Sequence, residues 1–78
     1  MFENLIKNIR GILDKKVCVS DFEDMVSLYD KEYIFIEGNL YRMNILKNKQ
    51  KVLSIDYIVN IFNETIVVKK VNLYLESL

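Results

Sequence analysis

Residues 33–46 read YIFIEGNLYRMNIL, two apolar runs separated by Gly38-Asn39. A Gly-Asn step between alternating apolar segments is a two-residue β-hairpin signal, because the tight turn needs left-handed backbone that these residues supply cheaply. With Gly38 and Asn39 as the turn, Ile36 is expected opposite Tyr41 and Ile34 opposite Met43 on one side, with Phe35 opposite Arg42 on the other. Both faces of this hairpin are partly apolar. One can receive a helix. The other, carrying Tyr33, Phe35, Leu40 and Arg42, must be covered or must bind something, and these four residues form the expected partner-contact face.

Downstream, KNKQK (47–51) is a polar connection. Beyond it Leu53, Ile55, Tyr57, Val59 and Ile61 alternate with Ser54, Asp56 and Asn60, the period of a strand. A short helix through Ile55, Ile58, Val59 and Phe62 is the competing reading, and the β-branched residues favour extended structure. Asn63-Glu64 then turns the chain into a last strand, TIVVKKVNLYL. Upstream, Phe2, Leu5, Ile6, Ile9, Ile12 and Leu13 recur at spacings of three and four, which gathers them on one helical face. Gly11 weakens the last turn, and Asp14-Lys15-Lys16 marks its end with cations where the helix dipole favours them.

Residues 17–30, VCVSDFEDMVSLYD, admit two readings. Ser20 and Glu23 have capping-box spacing ahead of Phe22, Met25, Val26 and Tyr29, which predicts a second helix. Alternatively, Val17 and Val19 alternate with Cys18, Asp21 to Asp24 form a loop, and Val26 and Leu28 alternate with Ser27 and Tyr29, which predicts a hairpin. The expected fold is mainly β, an N-terminal amphipathic helix on a small antiparallel meander. The alternative is α+β, with a second helix at 21–30.

The 78 residues make one domain, 1–78. A chain this short buries only about 60% of its unfolded surface, so it needs a dense core, a staple or a partner. Cys18 is the lone cysteine, so there is no internal disulfide, and a reducing, cytoplasmic setting is expected. The apolar fraction is 51% and alanine is absent, so the apolar side chains other than Cys18 are all large. That bulk points to self-association or docking on a protein partner. The lack of Ala, Pro, His and Trp beside abundant Ile, Asn, Lys and Tyr fits an A+T-rich bacterium or phage. Eleven basic residues balance eleven acidic ones, which argues against nucleic acid as the partner. No apolar run is long enough to span a membrane and no secretory cleavage site follows the N-terminus, leaving peripheral membrane contact as the one membrane role open to the chain.

The residues that commonly carry chemistry are scarce. Without histidine the chain lacks the commonest general base and metal ligand. Cys18 between two valines is expected to be a buried structural thiol. The carboxylates Asp21, Glu23, Asp24, Asp30 and Glu32 lack the spacing and glycine of a calcium loop, and two isolated glycines cannot build a phosphate loop. No enzyme activity, cofactor or metal is expected. Lys47, Lys49 and Lys51, with Lys69 and Lys70, are the candidate basic contacts, and Tyr33, Phe35 and Tyr41 could stack bases; a lysine-rich turn more often keeps a hairpin soluble.

The string VCVSDFEDMVSLYDKEYIFI, residues 17–36, resembles the opening of the YabP/YqfC family of sporulation proteins, with alternating aliphatics, an Asp beside a ring, a corner, a Tyr-Asp step and another alternating strand. LSIDYI and ETIVVKKV are similar to that family's paired strands once residues around Asn60 to Phe62 are treated as an insertion. Lys70 stands where the family usually has glycine, and the N-terminal helix is no part of its pattern. The resemblance implies a hairpin at 17–30. It also implies a non-enzymatic factor of an endospore-forming bacterium, acting with membrane or coat proteins at the spore envelope. The expected function is therefore a small adaptor or structural protein working through protein–protein binding in sporulation. The alternative is a phage or mobile-element inhibitor that docks on a host enzyme or nucleoprotein.

Overall fold

The computed structural model describes residues 2–74. Along the chain run α1 (Glu3–Gly11), β1 (Lys16–Cys18), α2 (Val19–Val26), β2 (Asp30–Glu37), β3 (Leu40–Lys47), β4 (Gln50–Asn60) and β5 (Thr65–Leu73). All strand pairings are antiparallel, in the spatial order β1-β5-β4-β3-β2. The mainly β reading holds, with an antiparallel meander from β2 to β5 and an amphipathic helix on it, and the second helix of the α+β alternative is present as well.

In α1, Leu5 and Ile9 are buried one turn apart and Phe2 closes the same face. Glu3 in the first turn and Arg10 in the last complement the helix dipole. Asp14 then takes a left-handed φ of 61°, which Asp tolerates better than most residues, and its carboxylate accepts a bond from Lys69 Nζ at 2.9 Å.

The segment 17–30 corrects the hairpin that the family resemblance implies. β1 and β2 occupy opposite edges of the sheet, four interstrand steps of about 4.8 Å apart, or about 19 Å. A hairpin would return the chain beside β1 and could not make that crossing. Eight helical residues cover about 12 Å of it, and Ser27 to Tyr29 complete it. α2 starts at Val19 with Cys18 as N-cap and no side-chain cap bond, so the Ser20/Glu23 capping box does not form. The helix is held instead by its buried Phe22 and Val26, one turn apart.

Cys18 is exposed, a second correction. In β1 it is Val17, paired with Ile66, that packs against the core, and strand alternation turns the next residue outward.

β4 is an eleven-residue strand in which Leu53, Ile55 and Tyr57 enter the core, and no helix forms at 54–62. Bulges adjust the ladders on either side. At Val52 one extra residue lets Val52 and Leu53 both be buried. At Lys69 the extra residue leaves Lys69 and Lys70 both exposed while Val68 and Val71 stay against the core.

The Gly38-Asn39 turn is present, with Gly38 at φ 55°, but its strands pair one residue out of the expected register. Ile36 is bulged, so Phe35 faces Tyr41, Ile34 faces Arg42 and Tyr33 faces Met43. This shift brings Phe35 and Tyr41 into edge-to-face contact at 5.6 Å. It also sets Glu32 beside Asn44 rather than over the buried Ile45, where its carboxylate would lose water.

The β3–β4 turn is Asn48-Lys49, with φ of 53° and 67°. A two-residue turn with both residues left-handed is type I′, whose second position favours glycine. Lys49 therefore carries a Cβ strain of about 1 kcal/mol. Lys49→Gly is expected to stabilise the fold by about 0.5 kcal/mol after the added unfolded-state entropy is offset, seen as a Tm higher by about 2–4 °C. An unchanged or lower Tm in thermal unfolding would show that the turn carries no such strain.

Candidate protein-interaction surface

The two faces of the sheet differ in chemistry. On the face away from the helices, Glu32, Asn44, Ser54 and Asn72 lie directly opposite one another across four strands. Ser54 Oγ donates to Asn44 Oδ1 at 2.6 Å, and Asn44 Nδ2 donates to Glu32 Oε1 at 2.9 Å. In the next row Arg42 grips Asp56 with two bonds of 2.7 and 3.2 Å, and Lys70 faces Asp56 from the other side. The hydrogen bond to Asp56, and then its charge, hold the Arg42 guanidinium even more firmly protonated than usual. This face has satisfied its own polar groups.

On the helix side, a row of rings crosses the sheet. Phe22 of α2 packs on Tyr57 at 5.1 Å, Tyr57 stacks with Tyr41 at 6.0 Å and 21°, and Tyr41 meets Phe35 at 5.6 Å. Tyr57 is 5% exposed beneath α2, Tyr41 is half-buried, and Phe35 is 61% exposed. The row therefore runs from the core to the open edge, because the helices lie toward β5 and β1 and leave β2 bare. Tyr33, 60% exposed, lines the gap between α2 and β2.

The same end of the sheet carries the β4–β5 turn. There Asn60 Oδ1 accepts from the backbone N–H groups of Phe62 and Asn63 at 3.0 and 3.2 Å, an Asx turn. It holds Ile61 and Phe62 out in solvent at 75% and 92% exposure. A groove lined by Gly38, Asn39, Tyr41, Val59, Ile61 and Phe62 joins this tip to the aromatic row. Phe35, Tyr41, Val59, Ile61 and Phe62 are thus one apolar surface with Tyr33 at its flank.

The four residues expected to share a contact face are divided. Tyr33 and Phe35 are on the helix side, whereas Leu40 faces Ile58 and Arg42 faces Asp56 on the other. The bulge at Ile36 is the cause, since a one-residue slip exchanges the faces of a strand. Ile61, expected as the last member of the β4 alternation, and Phe62, expected only in the competing helix, instead lie beyond β4 and exposed, since two consecutive large apolar residues before a turn cannot both follow strand alternation into a core.

The lysines lie elsewhere. Lys47, Lys49 and Lys51 are at the β3–β4 turn, at the end of the sheet opposite the aromatic tip. Lys51 Nζ sits 4.9 Å from the Tyr74 ring, a cation–π contact. Lys69 is paired with Asp14 and Lys70 faces Asp56. The stacking rings and the lysine turn are therefore not brought together. Among the described residues no three carboxylate or thiol groups converge as metal ligands, and no helix is long and apolar enough to cross a membrane.

Burial, followed by the neighbouring Tyr33, Tyr41 and Glu23, pushes the Tyr57 phenol up to about 12 from its ordinary 10.0. The folded state thus holds this proton more tightly than the unfolded chain does. The stability that goes with it is intact below about pH 10 and is lost as pH rises toward about 12. Tyr57→Phe is expected to flatten the fall of the urea midpoint across that window. An equally steep alkaline fall in the variant would place its origin in another group.

Comparison of the chain with protein-family models, with curated proteins and with solved structures finds no match.

Proposed function

We propose that this chain is a non-enzymatic adaptor that works by docking a protein partner on the apolar surface of Tyr33, Phe35, Tyr41, Ile61 and Phe62. The observation that carries the reading is the exposure of this connected set of large side chains beside a sheet edge, in a molecule whose other sheet face pairs its own buried polar groups. Aromatic side chains at such a patch are the usual anchors of protein–protein affinity, because they bury much area for little lost conformational freedom. Balanced charge and the separation of the lysines from the rings support a protein rather than a nucleic-acid partner. The sporulation setting, with membrane or coat proteins at the spore envelope and the adaptor in the cytoplasm, rests on the sequence resemblance to the YabP/YqfC family alone, whose implied hairpin at 17–30 is replaced here by α2.

The test is affinity capture of the tagged chain from growing and sporulating cultures of its own organism, read by mass spectrometry. A spore-envelope or membrane protein is expected in the sporulating sample. Its affinity should fall at least about tenfold with Phe35→Ala plus Phe62→Ala, as loss of anchors worth about 1–2 kcal/mol or more requires. Leu40→Ala on the far face should leave it unchanged. Capture that survives the double variant with the fold intact, or a host polymerase or defence complex in place of an envelope protein, would overturn the proposal.

A further inference from the structure

The charges of this chain cancel in sum but are sorted in space. None of its eleven lysines and arginines lies in 17–30, 32–41 or 52–68, the three stretches that build the apolar surface. Lys47, Lys49 and Lys51 are at the opposite end of the sheet. Val59 and Ile61 border a second groove as well as the one that Phe62 lines. That second groove runs to the start of α2, and its walls include Val19, Glu23 and Glu64. Both glutamates are exposed, and among the described residues neither has an ion-pair partner. The backbone holds them in place, since the Val19 N–H donates to the Glu64 carbonyl at 2.9 Å and so ties the β4–β5 turn to the helix that carries Glu23. Lys31, which borders the gap between α2 and β2, donates from Nζ to the Tyr29 carbonyl at 2.8 Å.

We propose that the partner segment docked on this surface is cationic, an apolar stretch of a second protein flanked by lysine or arginine. Its large apolar side chains cover Tyr41, Ile61 and Phe62, and a basic side chain enters the adjoining groove toward Glu23 and Glu64. The proposal rests on the adaptor reading and adds the partner's chemistry. Lysine and arginine lay an apolar stem along apolar surface while the charged head stays wet, which is what Val19, Val59 and Ile61 offer beside two carboxylates. Charges meeting against apolar walls interact more strongly than charges in open water. An acidic partner would be repelled by both glutamates and would find no lysine or arginine of these three stretches in compensation. The lysine turn of a second copy has the charge but no apolar anchor, since 47–51 reads KNKQK. A free cation would leave Ile61 and Phe62 in water. The apolar and the acidic parts of the surface are met together only by a segment that is both apolar and basic.

The experiment is fluorescence anisotropy of two labelled short peptides titrated with the full chain. The peptides share alternating leucine and differ only in having arginine or glutamate between the leucines. The arginine peptide is expected to bind at least about tenfold more tightly. Glu23→Lys plus Glu64→Lys should weaken it by at least about tenfold, and Phe62→Ala by at least about fivefold. Glu3→Lys plus Asp30→Lys, which changes the net charge equally at the other end of the sheet, should leave it nearly unchanged, with circular dichroism confirming that every variant is folded. If the two peptides bind alike and both are lost with Phe35→Ala plus Phe62→Ala, apolar docking stands and the cationic partner is overturned. If the arginine peptide binds but ignores both the Glu23/Glu64 and the Phe35/Phe62 substitutions, both readings fall. No binding of the arginine peptide up to about 500 µM would also overturn the proposal. So would self-assembly of the chain, seen by sedimentation and abolished by Lys49→Glu, because it would give the groove to the lysine turn of a second copy.

Discussion

Phe22 against Tyr57, 5.1 Å between ring centres, is the contact on which the arrangement of the molecule turns. β1 and β2 sit at opposite edges of the sheet and α2 is the helix between them, so the meander keeps its place only if α2 stays down on β4. Phe22 is 1% exposed and is the largest of the fully buried side chains. Truncating a buried Phe commonly costs about 3–5 kcal/mol, a large part of the roughly 5–15 kcal/mol that holds a domain together. With no disulfide to staple the chain, this aromatic contact takes that place. The same stack fixes where α2 lies, and therefore how far along the ring row the cover extends.

From that position the two faces of the sheet follow. Asn44 and Ser54 are 3% and 1% exposed on the face the helices do not touch, which is tolerable because each is bonded to a neighbour. Arg42 and Asp56 neutralise each other in the adjoining row. A face whose polar groups are paired in place gains little from further cover. The helix side is the reverse. Its apolar row is longer than the helices can roof, so Tyr41 is half covered and Phe35 is bare. The exposed apolar surface is the uncovered end of the core itself.

Much of this was legible in the sequence. The helical spacing from Phe2, the Gly38-Asn39 turn and the alternation from Leu53 to Val59 each have one dominant physical cause, and each element is present, though the hairpin register shifts by one and Ile61 falls beyond the strand. What escaped was governed by competition at longer range. The hairpin reading of 17–30 satisfied local alternation, but a strand order that puts β2 four positions from β1 is set by nonlocal pairing and needs a crossover. The Ser20/Glu23 spacing pointed to a helix for the wrong reason, since the buried Phe22 and Val26 hold it while the cap stays unmade. Cys18, read as core between two valines, is turned out because Val17 takes the inward position.

The candidate surface was half legible for one reason, the bulge at Ile36. Tyr33 and Phe35 are two apart and share a face in any register, so their pairing with each other was safe. Leu40 and Arg42 belong to the other strand, and their side relative to Phe35 depends on counting the turn without an extra residue. The bulges at Val52 and Lys69 leave a trace of their own, because each interrupts the alternation with two neighbours of one kind, Val52-Leu53 and Lys69-Lys70. Ile34-Phe35-Ile36 is a uniform apolar run and offers no such break. A bulge there is invisible in composition, and its cause is the preference of Phe35 for Tyr41 and of Glu32 for Asn44, contacts that exist only once the hairpin has closed. The residue that hides the register from the sequence thus turns Phe35 toward the helix side, where α2 stops short of it.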